Sequence, residues 1–467
     1  MSVTELEPRR VLIVDDDAEM RRLLADALVR EGFAVTLAEK GADVIGAVES
    51  STFDAVVVDK ELPGINGLDL VVFLQHRSPG TPAVLMTAFG GPLAAEAALR
   101  RGAAAYLDKP VRIPELVATL EDVMTRGRHT SATSRAAAAP RDTTAPTPSA
   151  PGALWAIVLA GGRGSRLRAL TRRIHGEPRP KQYATLVGDR SMLRHTLDRV
   201  ALRIPGERTF VVSMRGQWKY LEGELTGSPP PRVVLQPRDR GTAAATLLAA
   251  YAVHWHDPDA VVALFPSDHF IPEPALFMDR VSEAASFANR DPRWIVLLGA
   301  PATEPETEYG WIEPGRMLAC TRVGPVWRVR RFVEKPPAPM ARALLTDGGL
   351  WNTLVLVAKA STLKEAGRQL LSGLHTQLVV AAPLVGTPAE GAALRRAYAA
   401  VPDADFSGGV LEQCPSILAV VPLTGVSWCD FGSPRRIMHA ARRGGVPLSW
   451  AGGATGSRAE NNKEESS

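Results

Sequence analysis

The chain's 467 residues exceed one ordinary core, and its 45% hydrophobic and 22% charged content is ordinary for a soluble globular protein. A formal charge of +4 admits anionic substrates but is too small for this length to argue for nucleic acid. Cys320, Cys414 and Cys429 lack metal-ligand spacing, the N-terminus is polar, and no apolar run nears the roughly 18 residues of a membrane span; these features predict a cytoplasmic protein with reduced thiols, no secretory signal and no membrane insertion.

In chain order, the apolar run at 11–14 predicts a buried strand that stops at Asp15, Asp16 and Asp17. Met20, Leu23, Leu24, Ala27 and Leu28 then recur at helical spacing, with Gly32 where a C-terminal cap belongs. Strand-like runs follow at 34–37, 55–58, 83–86 and 104–107. Residues 8–125 therefore predict an open parallel sheet wound on both faces. Ala, Pro, Ser and Thr dominate from 128 to 152, a composition that cannot offset its ordering entropy, so 126–152 is expected to be a flexible linker. Residues 153–450 repeat the α/β texture at larger scale, with strand candidates at 155–159, 209–213, 261–265, 294–298 and 354–357 and helical patterns at 192–200, 243–253 and 341–345. A mixed or mostly parallel sheet is expected there, and a disordered polar tail over 451–467.

Ligand sites in open α/β sheets form at the C-terminal ends of strands. In the first unit those ends carry Asp15 and Asp16, then Asp59, Thr87, and Lys109 before Pro110. Three carboxylates brought together repel, so they call for a cation, and Mg²⁺ with its oxygen preference fits. A carboxylate beside that metal can act as nucleophile toward a phosphoryl group, with Thr87 bonding its oxygens and Lys109 offsetting its charge. A solvated turn would explain Val14-Asp15-Asp16-Asp17 alone but not all five positions. Val14-Asp15-Asp16, Val58-Asp59-Lys60-Glu61-Leu62-Pro63-Gly64, Met86-Thr87-Ala88 and Tyr106-Leu107-Asp108-Lys109-Pro110 together resemble a two-component receiver domain. That resemblance implies a flavodoxin-like doubly wound fold, phosphorylation of Asp59 by a histidine kinase, Mg²⁺ on Asp15, Asp16 and Asp59, switch roles for Thr87, Tyr106 and Lys109, and a cis bond before Pro110.

The second unit opens with a strand running into Ala160-Gly161-Gly162-Arg163-Gly164-Ser165-Arg166, followed by Pro180-Lys181-Gln182. Glycines at 161, 162 and 164 remove side chains that would keep a phosphate from backbone N–H groups, and Arg163, Arg166 and Lys181 supply the charge a triphosphate needs. Asp268 in Pro266-Ser267-Asp268-His269 and Asp430 in Ser427-Trp428-Cys429-Asp430-Phe431-Gly432 could hold Mg²⁺ together with substrate phosphates. Such a site activates a sugar phosphate by positioning and charge neutralisation, since the sugar phosphate itself attacks the α-phosphorus.

These segments resemble the sugar-nucleotide pyrophosphorylases, the mannose-1-phosphate guanylyltransferases most closely, over almost all of 153–440. The resemblance implies a Rossmann-like α/β/α domain that takes an NTP, GTP foremost, and a sugar 1-phosphate. It assigns Ala160, Gly161, Gly162, Gly164, Ser165, Gln236, Gly241 and Thr242 to the nucleotide, and Gly310, Glu334, Lys335 and Asn352 to the sugar phosphate. Arg166, Lys181 and Asp268 become catalytic, with Mg²⁺ on Asp268 and Asp430. A homodimer is compatible with this reading. The chain departs from the family's pattern at Arg163, in the long approach over 171–179, in Arg240-Gly241-Thr242-Ala243-Ala244, and at Thr353-Leu354 after Asn352.

Blander readings compete at single positions. Glu334-Lys335 alone suits an exposed strand end, Trp351 suits a core, and His269 suits either a structural role or tuning of Asp268. His254 and His256, at i and i+2 on a helix, face apart and read as surface histidines. Two other functions compete: a phosphorelay scaffold whose second unit binds nucleotide or sugar without turnover, and a DNA-binding regulator, which the absence of a small basic helical module disfavours.

Overall fold

The computed structural model describes residues 8–133 and 152–450, apart from 63, 64, 79, 89–94, 96, 97 and 100 in the first stretch and 228, 323 and 449 in the second. Pro63, Gly64, most of the expected linker and the expected tail lie outside the described residues. Those described fall into two compact units, one drawn from 1–147 with 373–401, the other from 148–372 with 402–467.

In the first unit five strands, β1 (Arg10–Val14), β2 (Ala34–Ala38), β3 (Ala55–Asp59), β6 (Ala83–Thr87) and β7 (Ala105–Asp108), form a parallel sheet in the order β2-β1-β3-β6-β7. A two-residue hairpin, β4 (Glu61–Leu62) with β5 (Ile65–Asn66), follows β3. Uninterrupted burial of Val11–Val14, Ala55–Val58 and Ala83–Met86 is what a sheet covered on both faces requires. Asp17 caps the helix Ala18–Arg30 by accepting the N–H groups of Glu19 and Met20 at 2.8 and 3.1 Å. Leu24 and Leu28 of that helix join Val11, Ile13, Val57 and Val84 in one core. The helix Ile113–Thr133 buries Leu116 and Leu120 in the same core and runs on past 125, into the stretch expected to be linker. Helices Ser372–Ala381 and Glu390–Ala400 supply the 373–401 part of this unit.

The second unit is built on a nine-stranded mixed sheet. Its strands are β8 (Leu154–Leu159), β9 (Thr209–Met214), β10 (Arg232–Gln236), β11 (Val261–Pro266), β12 (Ile295–Pro301), β13 (Gly310–Thr321), β14 (Gly324–Glu334), β15 (Leu350–Lys359) and β16 (Leu418–Pro422). They run in the order β10-β9-β8-β11-β15-β12-β16-β14-β13. β10, β9, β8 and β11 are mutually parallel, while β15 runs antiparallel between β11 and β12. Two helices, Gly241–His256 and Pro274–Arg290, bury long apolar faces against the sheet. The register Leu159↔Pro266 ends β8 and β11 at one level, with β9 running two residues past the Leu159↔Val212 pair, and the chain's glycine turn leaves the sheet there.

His256 corrects the expectation of a surface residue. Its ring stacks on Trp155 and Phe210 at 6.3 and 6.1 Å, and burial pushes its pKa down to about 4. Among the described residues no helix is long and apolar enough to cross a membrane.

Candidate active sites

In the first unit the ends of β1 and β3 bring carboxylate oxygens of Asp15, Asp16 and Asp59 within 4.8 Å of one another. Asp15 and Asp59 are buried and Asp16 is exposed. Lys109 reaches across from the end of β7, its Nζ 2.7 Å from Asp15 Oδ2 and 3.1 Å from Asp59 Oδ2. Burial raises the Asp59 pKa even though Lys109 opposes the shift, and the charge of Asp15 adds to it. Burial works against the Lys109 ammonium, but hydrogen bonding to Asp15 and the two carboxylates outweigh it and raise its pKa. Thr87 is fully buried at the end of β6, where its carbonyl accepts the Lys109 N–H at 2.7 Å, and the Lys109–Pro110 bond is cis. Tyr106 lies one strand over, its hydroxyl donating to Asp108 at 2.9 Å. The set gathers three carboxylates of the hard-oxygen kind that a divalent cation takes, with the Lys109 ammonium against two of them.

In the second unit a cavity of about 490 Å³ opens where β8, β10 and β11 end. Gly161, Gly162 and Arg166 line it beside Gln236, Gly241 and Thr242. Asp268, Gly310, Glu334, Lys335, Asn352 and Asp430 complete the wall. Ala160, Gly164, Ser165 and Lys181 are not on it. Ala160 is fully buried, its carbonyl taken by Gln182 Nε2 at 2.8 Å and the Tyr183 hydroxyl at 3.2 Å. Ser165 is exposed in the short helical turn Ser165–Leu167.

The glycine turn is braced from behind. Gln182 and Gln217 donate to the Gly162 carbonyl at 2.8 and 3.0 Å. Gly164 has φ +58°, and a Cβ there would sit 2.4 Å from the Lys181 nitrogen, so glycine lets the turn press against the lysine segment. The long approach between Arg166 and Lys181 is a helix, Arg168–His175, folded back by buried Thr171, whose hydroxyl accepts the Arg179 N–H at 3.2 Å. Arg163, the unusual residue of the turn, pairs with Asp239 at 3.3 Å, and Arg166 pairs with Glu308 at 3.1 Å.

Lys181 is buried, and its Nζ meets Asp268 Oδ2 at 3.0 Å and also the Asp430 carbonyl. Burial alone would raise the Asp268 pKa, yet Lys181 foremost, joined by His269 where acid protonates it, holds it below the ordinary carboxylate value. Burial pushes His269 down to about 4, so it is neutral, and it accepts the Trp428 indole N–H at 3.2 Å. Asp430 Oδ1 receives the Tyr309 hydroxyl at 2.5 Å, Gly432 N–H at 3.1 Å and Arg436 Nη1 at 3.3 Å.

At the opposite end Gly310 pairs with Glu334 across β13 and β14. Burial raises the Glu334 pKa, with Lys335 3.4 Å away opposing it. Asn352 is held by Leu354 N–H at 3.1 Å and donates to Ser407 Oγ at 3.5 Å. Trp351 packs with Tyr309, Trp311 and Trp428, so it is core and also backs the cavity. Thr242 donates to Asp405 at 2.7 Å, and Gly241 (φ +81°) would place a Cβ 2.2 Å from the Ala404 carbonyl.

Sequence reasoning missed Arg436, Gln217, Asp405 and Ser407. The fold brings Asp405 and Ser407 to the cavity wall, Arg436 against Asp430 and Gln217 against the Gly162 carbonyl.

Comparison with known proteins finds two families along the chain. Residues 155–443 match the family described as Nucleotidyl transferase, and residues 11–121 match the Response regulator receiver domain. The xanthan biosynthesis protein XanB of Xanthomonas campestris pv. campestris (strain B100) is 31% identical over 297 residues, 62% of this chain and 60% of that protein. Mannose-1-phosphate guanylyltransferase of Klebsiella pneumoniae is 29% identical over 292 residues, 60% of this chain and 58% of that protein. This chain thus spans less than two thirds of the length of these curated relatives. The crystal structure of a mannose-1-phosphate geranyltransferase from Thermus thermophilus superposes with a TM-score of 0.52 at 29% identity, covering 62% of this chain and 78% of that one.

Proposed function

From the premise that this chain belongs to the nucleotidyl transferase family and carries a response regulator receiver domain, we propose that its second unit makes a nucleoside diphosphate sugar from an NTP and a sugar 1-phosphate. GTP and mannose 1-phosphate are the foremost pair. The observation that carries the reading is the single cavity that gathers the glycine turn, two carboxylates and Glu334, Lys335 and Asn352 from distant parts of the chain.

In the proposed reaction a phosphate oxygen of the sugar 1-phosphate forms a bond to the α-phosphorus, and the bond from that phosphorus to the bridging oxygen breaks, releasing pyrophosphate. Gly161 and Gly162 let the triphosphate approach the backbone, while Arg166 and Lys181 neutralise charge that builds at the α-phosphorus. Glu334 and Asn352 orient the sugar, and Lys335 draws its phosphate into line. Asp268 and Asp430 suit Mg²⁺ by donor chemistry: both are carboxylates on the cavity wall, and Asp430 Oδ2 accepts no hydrogen bond from the described residues. When bound, Mg²⁺ would polarise the phosphoryl oxygens.

The test is Mg²⁺-dependent pyrophosphate release across a panel of triphosphates and sugar 1-phosphates. Turnover is expected with GTP and mannose 1-phosphate and is expected to vanish in Asp268→Ala. Binding without turnover across the whole panel would leave the scaffold reading in its place.

Receiver control is a second part of the proposal, supported by the Asp15–Asp59–Lys109 arrangement. A histidine kinase phosphorylates Asp59, and the modification alters turnover. The substrate panel run with and without a small phosphoryl donor checks this, and identical kinetics in both states would count against it.

A further inference from the structure

Asp430 is held from one side only. Its Oδ1 collects three donors, from Tyr309, Gly432 and Arg436, while its Oδ2 accepts none from the described residues. The side chain is thereby locked in one orientation, with a single oxygen left for another partner.

Arg436 is the charged member of that group, and local structure explains its reach. Ser433 caps the helix Pro434–Arg443 by accepting the Arg436 N–H at 3.3 Å. Ile437 and Ala441 bury the helix in a core shared with Leu167 and Leu170, which follow the glycine turn. Helical side chains lean toward the helix N-terminus, so Arg436 projects back over Asp430. Its guanidinium meets three groups at once: Asp430 Oδ1 through Nη1, Glu306 Oε2 through Nη2, and the Tyr309 ring, whose centroid lies 5.0 Å away. Glu306 in turn accepts the N–H groups of Thr307 and Glu308 at 3.0 Å each, and its carbonyl takes the Trp311 indole N–H at 2.7 Å. One planar fork therefore joins the Asp430 carboxylate to the loop that delivers Tyr309 and Gly310. A lysine, with a single ammonium on a flexible stem, could not hold two carboxylates and stack on a ring together.

We propose that Arg436 is a positioning residue that, with Tyr309, fixes Asp430 so that Oδ2 is presented to the divalent cation, and that ties cation binding to the Glu306 loop. The proposal rests on the reading of Asp430 as a cation ligand.

The experiment measures Mn²⁺ binding to the full chain by electron paramagnetic resonance, with a non-hydrolysable GTP analogue present, alongside the Mg²⁺ activation constant. Arg436→Gln is expected to weaken Mn²⁺ binding and raise the activation constant by about tenfold or more, the usual cost of losing a group that orients a metal ligand. Arg436→Lys retains charge without the fork and is expected to fall between that variant and the parent. Exposed Met438, on the same helix, serves as control, and Met438→Gln is expected to bind Mn²⁺ as the parent does. Parent-like Mn²⁺ affinity in both Arg436 variants, while Asp430→Asn loses it, overturns the proposal and leaves the ligand reading standing. Parent-like affinity in Asp430→Asn overturns that reading, and the proposal with it. If Arg436→Gln does not fold, Arg436→Lys carries the same comparison.

Discussion

Lys181 Nζ lies 3.0 Å from Asp268 Oδ2, joining the lysine that follows the glycine turn to the carboxylate at the end of β11. In the proposed reaction the pair would set a fixed positive charge beside a cation ligand. Lys181→Ala is expected to lower turnover about 10²–10³-fold, the range for removing one preorganised charge donor. Single-turnover assays at saturating substrate check this. The same pair links stability to pH. The folded pKa of Asp268 is depressed, so its contribution is complete above the ordinary carboxylate value of 3.8 and is lost as pH falls through the lower folded value. Urea titrations of the parent and Lys181→Ala should therefore converge as the pH drops below that range.

The strands that read as apolar runs, β1, β3, β6, β8, β9 and β11, stand where the pattern places them, because a strand buried on both faces carries its signal in composition alone. β13 and β14 were not legible. Their residues are half exposed and interrupted by bulges near Pro314 and Met317, which destroys both continuous and alternating patterns. At the candidate site, glycines and carboxylates at strand ends were visible because their chemistry is unusual beside an apolar strand. Arg436 and Asp405 were not, because a charged residue on an amphipathic helix or loop has the same local appearance whether it faces solvent or a cavity. His256 was misread for the converse reason: helical spacing reports the helix's own faces and not the aromatic rings of β8 and β9 that cover one of them.

Gly164 ties stability to activity. Its left-handed backbone costs a non-glycine residue about 1–2 kcal/mol. An added Cβ 2.4 Å from the Lys181 nitrogen must push that segment away from Asp268. Displacements on the order of 1 Å can cost about 10²-fold in rate. Gly164→Ala is therefore expected to melt well below the parent and to lose most of its turnover even where it stays folded, as calorimetry and pyrophosphate release on one preparation would show.

Exposed arginines crowd two helices that share one core. Arg168 and Arg172 on one helix and Arg435, Arg442 and Arg443 on another form no ion pairs with the described residues, and both helices pack on the core that follows the glycine turn. Such a face raises the local concentration of triphosphate without touching the chemistry. The double variant Arg172→Glu, Arg442→Glu is expected to lower kcat/KM about tenfold at low salt while kcat holds. The difference should shrink as ionic strength rises through about 0.15 M, where screening acts within about 8 Å. Equal salt dependence in parent and variant would show that the face does not steer substrate.

Asp59 is buried with Asp15 beside it, and its pKa is raised in the folded protein. A raised carboxyl pKa means that folding disfavours the charged form. The group therefore favours folding most below its unfolded pKa, and that contribution is lost as pH rises through the folded value. At neutral pH the ionised Asp59 strains the first unit, and Lys109 only partly relieves it. Asp59→Asn keeps the shape and removes the charge. It is expected to raise the melting temperature of the first unit at pH 7, with the gain fading as pH falls to the carboxylate range. Scanning calorimetry of the full chain at pH 7 and pH 4 reads both effects. The same variant is expected to incorporate no phosphoryl group from acetyl phosphate, whereas Lys109→Ala, which leaves Asp59 in place, should still accept some. A variant no more stable than the parent at pH 7 would show that Lys109 already balances the buried charge.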